Sequence, residues 1–500
     1  MDTTTISPAA SSGSPTESSR KPGFFINRNF GLLLSGQGIS IIGDMVFNTT
    51  LVIWIGLQLA KGYSWAPLAV SGVLLAAAVP AFLIGPFAGV FVDRTDKRRM
   101  MLWMDGFRAV IVAALILVSG AFALPFLPGG QLPLFWQLGV IYGVVVLVNT
   151  AEQFFRPAMM ALIADIVNEA DQPRAMGLAQ VSVSLGLIIG PTLAAPLFVV
   201  FGPQWALLVN ALSFVASYVT LLAMRPPKAA TSVHDGQRPS FAREFFEGLR
   251  FYLHSRVLMT LLIAVVVAVL GAGALNTLDV FFTTGNLHAS TGLYGLMNGV
   301  FGFGAIAGAI LASIFAQRLG VVRLLCGGIL AIGVLVIVMA PMTSFWPALV
   351  IFGLVGVAQS AMNTAAGPLM MRATPREFMG RVNSVFNPMM NLAILISSAL
   401  VGYLAGVTLH DFHAAAFGLA FGAVDTIYLG AGVLIILGGV VAVVGLRGIE
   451  KNTPSAETIQ DVATPLGVTP DMTPPELTPV VPLAPADVAA IPGIVNSRSE

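Results

Sequence analysis

Five long apolar stretches of the chain contain neither lysine nor arginine. Each is 47 to 65 residues long, and residues 29–93 have the same form with Lys61 as their one basic residue. A helix of about 20 apolar residues crosses a bilayer core, so each stretch is long enough for two spans and a short turn. Of the 500 residues, 56% are hydrophobic and 10% are charged, too few polar residues for a soluble exterior. The sequence predicts an all-α membrane protein with twelve transmembrane helices. The five stretches are 109–155, 175–224, 257–317, 324–371 and 382–446.

The basic residues between these hairpins predict the orientation. Of the 25 lysines and arginines, 24 fall before, between or after the hairpins, and Lys61 lies on the opposite side. Loops rich in lysine and arginine stay in the cytoplasm. Both termini are therefore predicted to be cytoplasmic. The net charge of +1 gives no indication of a nucleic-acid partner.

The longest connection, residues 225–256, divides the apolar region into two parts of similar length. "RPAMMAL" at 156–162 resembles "GPLMMRA" at 367–373 in the equivalent place of the other part. Paired six-helix halves are expected of transporters that open alternately around a site at the bilayer midplane. The predicted organisation is a disordered cytoplasmic N-terminus (1–28), an N-terminal six-helix half (29–224), a cytoplasmic connecting loop (225–256), a C-terminal six-helix half (257–447) and a disordered Pro/Thr-rich cytoplasmic tail (448–500).

Six of the seven residues from Asp93 to Arg99 are charged, although the chain is short of charge. The segment "GVFVDRTDKRR" resembles the loop between spans 2 and 3 of the major facilitator superfamily. The matching residues are Gly89, Asp93, Arg94, Lys97 and Arg98. Asp96 stands where that family usually has glycine. This departure, followed by "MDGFRA" at 104–109, resembles the drug:proton antiporter branch that includes macrolide-efflux proteins and siderophore exporters.

The resemblance implies a major facilitator fold and a location in the plasma membrane, which in bacteria is the inner membrane. It also implies a cytoplasmic gate at this loop. In the family the loop latches the two halves when the cytoplasmic side is closed. Asp105 and Arg108, predicted near the cytoplasmic end of span 3, are assigned to the same gate. A solvated loop that only fixes topology explains the charges in another way, and a structural ion pair explains Asp105 and Arg108.

The segment "GLIIGPTLAA" at 186–195 resembles the family's antiporter motif, with Gly186, Gly190 and Pro191 in place and two alanines for its last two glycines. Small residues four apart let helices approach closely, and the proline removes one backbone hydrogen bond. The motif favours antiport. Ordinary helix packing satisfies the same spacing.

Polar side chains within spans are costly in a membrane and are candidates for function. Those of span 1 recur every three or four residues and so share one helix face. The resemblance implies that spans 1, 4, 7 and 10 surround the cavity. Hydrogen bonding between helices is the alternative role. The predicted cavity-lining residues are Gln37, Ser40, Asn48, Asn149, Asn276, Asp279, Gln359, Asn363, Asn387 and Asn391.

Asp44 and Glu152 are the candidates for proton coupling. If span 1 begins near Phe30, a rise of about 1.5 Å per residue places Asp44 roughly 20 Å deep, close to the midplane. Lysine and arginine are absent from the neighbouring turns, so proton coupling is favoured over packing. Glu152 precedes Arg156 by four residues, and an ion pair also explains it. Asp279 is placed near the outer end of span 7, where a rim position or a helix cap suffices to explain it.

The sequence predicts a secondary active transporter that exports small amphiphilic, drug- or macrolide-like molecules in exchange for protons. The alternatives are export of a dedicated metabolite such as a siderophore or lipid-like compound, proton-coupled uptake, and a transport-inactive sensor or scaffold. Neither an ATP-binding loop nor a nucleophile–base set is recognisable, so no enzyme activity and no cofactor are expected. His410 and His413 are too few ligands to predict a metal. The expected partners are the substrate, protons and lipid, with a monomeric chain.

Overall fold

The computed structural model describes residues 26–119, 132–225, 249–375, 378–416 and 419–447. Within these ranges, twelve helices are long and apolar enough to cross a membrane, which confirms the predicted number. They are numbered span 1 to span 12 in chain order. Their α-helices are Arg28–Ile53, Ala66–Leu83 with Gly85–Asp93, Lys97–Leu115, Leu134–Ile166, Gln172–Phe201, Pro203–Ala223, Arg256–Phe281, Thr291–Leu319, Val321–Met339, Phe345–Arg372, Met379–Tyr403 and Ala423–Gly445.

Shorter elements complete the fold. Two 3₁₀ turns, Ile116–Val118 and Glu169–Asp171, extend span 3 and precede span 5. Spans 1, 7 and 11 continue into π turns over Trp54–Leu59, Phe282–Asn286 and Leu404–Thr408. Strands β1 (Ala414–Ala416) and β2 (Leu419–Phe421) pair antiparallel between spans 11 and 12. This two-stranded sheet is the one departure from the predicted all-α fold in the described ranges. The predicted disordered segments at 1–25 and 448–500, and most of the connecting loop, lie outside those ranges.

Polar side chains fix where several spans begin. The side-chain oxygen of Asn27 accepts a hydrogen bond from the backbone N–H of Phe30 (2.8 Å) and caps span 1. Asp96, at the usual glycine position, caps span 3 by accepting from the N–H of Arg99 (2.8 Å). Gly320, with φ of 83°, forms the turn between spans 8 and 9, a conformation that favours glycine.

The two sets of six spans repeat the same pairings. Span 1 packs on spans 5 and 6, span 2 on span 4, and span 3 on spans 4 and 6; the second set pairs 7 with 11 and 12, 8 with 10, and 9 with 10 and 12. The sets meet where span 2 packs on span 11 and span 5 on span 8. When each span of the first set is matched with the span six places later in the chain, the same contacts recur. This is expected for two related halves.

Several close contacts between the halves lie toward one end of the bundle. We call the end at which span 1 begins the termini end, and the opposite end the distal end. At the distal end, a Cβ on Gly402 of span 11 would overlap the hydroxyl of Ser71 in span 2. Gly295 of span 8 lies in the same way against the carbonyl of Pro191 in span 5. Ile53 and Ala195 of the first half form a buried apolar cluster with Val280 of the second half.

Candidate functional site

A cavity of about 410 Å³ lies in the first half, between spans 1, 4 and 5. Its wall runs from Phe30, at the beginning of span 1, to Asn48, and includes Ile163 near the end of span 4. It therefore reaches from the middle of the bundle to the termini end. Its volume falls within the range of small-molecule sites, about 300–1,000 Å³.

The polar face of span 1 lines this cavity. Gln37, Ser40, Asp44 and Asn48 all contribute to the wall, together with Asn149 and Glu152 of span 4. Six of the twelve residues predicted to line the cavity or to couple protons are thus brought together. Asp44 is half-buried and lies about 24 Å along the helix from Arg28, near the middle of the 32-residue span. Gln37 is tied to span 6, because its amide donates to the Ser217 hydroxyl (3.0 Å).

Four further charged groups act electrostatically on Asp44: Arg108 and Arg156 as opposite charges, Glu152 and Asp105 as like charges. Arg156 and Glu152 form an ion pair of 3.1 Å, with 71% and 32% of their side chains exposed. Arg108 comes from span 3 and faces the same cavity. The basic residue missing from the sequence neighbourhood of Asp44 is therefore supplied by another span.

The placement of Asp105 and Arg108 corrects the prediction for span 3. Because that span begins at Lys97, Arg108 is at its middle rather than near its end. The two side chains form an ion pair and are 0% and 3% exposed. The guanidinium carbon of Arg108 lies 4.5 Å from the ring centroids of both Phe155 and Phe214. Two aromatic faces and one carboxylate thus hold the cation in place.

Apart from Gln180 and Ser182 of span 5, the rest of the wall is largely apolar and rich in methionine. The flexible thioether side chain of methionine fills irregular gaps and adapts to different shapes. The spacing of polar residues did not predict that span 5 or these methionines line the cavity, although "RPAMMAL" contains two of them. The cavity methionines are Met45, Met159, Met160 and Met176.

Six candidates from the second half do not line this cavity. Asp279 is 4% exposed and accepts a hydrogen bond from the Asn298 amide of span 8 (2.8 Å). It is buried in a helix interface rather than at a rim. The exposed candidates are Asn276, Asn363 and Asn387, and the half-buried ones are Gln359 and Asn391.

The predicted gate residues Lys97 and Arg98 bind within their own half. The ammonium of Lys97 lies 2.6 Å from Asp165 at the end of span 4. The guanidinium of Arg98 donates to the carbonyls of Leu221 and Leu222 in the last turn of span 6, each at 2.8 Å. Arg94 is exposed. The side chain of Asp93 and the surroundings of Gly89 lie outside what the structure describes, so the latch itself stays a prediction.

The antiporter-type motif lies between the halves. A Cβ on Gly186 would lie 2.5 Å from Cγ2 of Ile41, and one on Gly190 would overlap Met45, both in span 1. The carbonyl of Pro191 faces Gly295 of span 8. The motif thus allows span 5 to approach both the cavity-lining span and the second half.

Comparison with known proteins agrees with this architecture. A family model described as transmembrane secretion effector, of the major facilitator (MFS) type, matches residues 30–437. Macrolide efflux protein A of Streptococcus pyogenes is 22% identical over 383 residues, which cover 76% of this chain and 90% of that protein. The putative bacilysin exporter BacE of Bacillus amyloliquefaciens is 32% identical over 190 residues, covering 37% and 41%.

Solved structures share the fold at low identity. A bacterial homologue of the iron transporter ferroportin, in an inward-facing state, superposes with a TM-score of 0.63 and 15% identity, covering 84% of this chain and 99% of that chain. The nucleoside transporter NupG superposes with a TM-score of 0.62 and 11% identity, covering 84% and 100%. These likenesses confirm the predicted fold class.

Proposed function

We propose that this chain, which belongs to the transmembrane secretion effector family of the major facilitator superfamily, exports small amphiphilic molecules across the inner membrane in exchange for protons. The observation that carries the proposal is the cavity between spans 1, 4 and 5. It combines Asp44 and Glu152 with an adaptable methionine-rich wall. Such a site suits a molecule that has both an apolar body and a polar or cationic group.

Asp44 is the proposed proton carrier. An ionised carboxylate that loses its hydration is disfavoured unless an opposite charge compensates for it. A cationic group of the substrate can supply that charge and displace the proton, which exchanges one for the other. When the cavity next faces the other side, protonation releases the substrate. Arg108 limits the cost of the ionised form between these steps.

The relatives support export as the direction. Macrolide efflux protein A and the putative bacilysin exporter are both named for efflux. The second name also supports the alternative that the substrate is one dedicated metabolite. A substrate panel separates these possibilities, because a drug exporter handles several unrelated compounds.

The test is transport by the purified protein in proteoliposomes under an imposed pH gradient, with a labelled macrolide, a lipophilic cationic dye and a siderophore as probes. Asp44→Asn keeps the side-chain shape and removes the titration. We expect it to abolish uphill transport and to weaken binding of the cationic dye, because the neutral side chain resembles the protonated acid that releases the substrate. Asp411→Asn is the matched control, because Asp411 is 87% exposed in a loop.

Uphill pumping by Asp44→Asn with the wild-type pH dependence would exclude Asp44 as the coupling site. Gradient-driven accumulation in the opposite direction would establish uptake. Absence of flux for every probe would favour a dedicated metabolite or a sensor. Wild-type pumping that survives a protonophore would exclude proton coupling.

A further inference from the structure

A second buried acid lies in the other half, away from the cavity. One oxygen of Asp279 accepts from Asn298, and the other has no hydrogen-bond partner among the described residues. The hydroxyls of Thr277 and Tyr428, both buried, are also unpartnered within those ranges. An ionised carboxylate with an unsatisfied oxygen and no nearby cation is costly, by several kcal/mol. The neutral acid fits this environment.

The groups that face Asp279 are neutral or already engaged. Span 8 presents Tyr294, and span 12 presents Tyr428, both close enough to be affected by the charge of Asp279. Asp425 of span 12 accepts hydrogen bonds from Asn286 and from the backbone of Gly422. Tyr403 of span 11 is 52% exposed. The spanning helix Ala66–Leu83 of span 2 contains no titratable residue, and the charge of span 10, Arg372, is at the termini end.

Asp279 is next in the chain to a residue that packs across the interface between the halves. The next residue, Val280, packs with Ile53 and Ala195 of the first half. On span 8, Asn298 is flanked by Gly295, which faces Pro191, and Gly299, which faces Thr192 of span 5. The Asp279–Asn298 hydrogen bond therefore ties span 7 to the same segment of span 8 that closes on span 5. Separating spans 5 and 8 would admit water to the acid.

We propose that Asp279 is a second protonation site, which holds the distal end closed when protonated and favours its opening when ionised. In the closed arrangement the proton stays on the carboxyl group. When the distal end opens, water hydrates the carboxylate and accepts the proton. Protonation from the distal side then favours the return to the closed arrangement. The site is distinct from Asp44 and lies in the other half of the bundle.

The experiment measures conformation rather than transport. Cys326 is replaced by serine, and spin labels are attached to cysteines introduced at Tyr63 and Val407, two exposed distal residues in different halves. Inter-label distances are measured in nanodiscs over a pH series. We expect the long-distance population of the otherwise native protein to grow as pH rises. Asp279→Asn should keep the short distance at every pH.

Two further variants separate this site from the cavity. Asp44→Asn should retain the pH-dependent opening, and Asp279→Glu should retain it with a shifted midpoint. The proposal would be overturned if the distances in Asp279→Asn changed with pH as they do in the parent. It would also be overturned if the distances in the parent did not change with pH. Loss of the response in Asp44→Asn alone would assign it to the cavity and overturn the proposal as well.

Discussion

Arg108 and Asp105, three residues apart in the middle of span 3, form an ion pair that the bundle buries almost completely. Nε of Arg108 and the second oxygen of Asp105 have no hydrogen-bond partner among the described residues. Each charge therefore depends on the other and on the aromatic rings around the guanidinium. Through Arg108, the pair contacts both the cavity and the aromatic side chain of Phe214 in span 6.

Removing one member of this pair should be far more damaging than removing both. Arg108→Leu leaves the Asp105 carboxylate buried without its partner, which should lower the free energy of unfolding by about 3–5 kcal/mol. Thermal unfolding in detergent measures the loss. The double variant Asp105→Leu/Arg108→Leu should recover most of it. A double variant as unstable as Arg108→Leu would contradict the explanation.

Asp93→Asn tests the latch that the family resemblance implies. The substitution removes a charge proposed to stabilise only the state closed at the termini end, so the population should shift toward the state open there. Labelling of introduced cysteines at the termini end should increase and export should fall, with substrate affinity less changed. Asp165→Asn breaks the Lys97 ion pair within one half and should leave labelling unchanged. Equal labelling in Asp93→Asn and the parent would exclude the latch.

Gly190→Ala should disturb the contact between spans 5 and 1. The added methyl group would overlap Met45 and lie 3.2 Å from the carbonyl of Ile42. Overpacking of this kind costs about 1–3 kcal/mol, so both the melting temperature and export should fall. Gly177→Ala in the same span is the control, because its Cβ meets nothing within 4 Å. If the two variants melt alike, close packing is not the role of Gly190.

Gly402→Ala should weaken closure of the distal end. Its methyl group would occupy the space of the Ser71 hydroxyl across the interface between the halves. The equilibrium should shift toward separation of the distal ends, seen as longer distances between labels at Tyr63 and Val407. Adding Ser71→Gly should restore the parental distances. Failure of this rescue would show that the Gly402 effect does not act through Ser71.

Regular spacing made the first half of the site predictable. The three- and four-residue intervals of Gln37, Ser40, Asp44 and Asn48 require one helix face, and this face lines the cavity. The number of spans followed from the gaps between basic residues, because membrane thickness limits helix length. Neither inference needs knowledge of how the helices pack.

Packing decided what the sequence could not. Arg108 faces the cavity because span 3 begins among the charges at Lys97, which shifts the pair to mid-span. Asp279 is buried because Asn298 of another span meets it. The polar residues of the second half repeat the same spacing as those of span 1, yet they do not line this cavity. Whether a polar face meets a cavity or another helix depends on its neighbours.

The π turns at the distal ends of spans 1, 7 and 11 have a consequence for insertions and deletions. A π turn closes its hydrogen bond one residue further along the chain than an α turn does. Deleting one residue from Leu404–Thr408 would leave an ordinary α turn, and the preceding span would keep its register. The chain therefore has three distal positions at which we expect a one-residue deletion to leave the faces of the preceding α-helices unrotated.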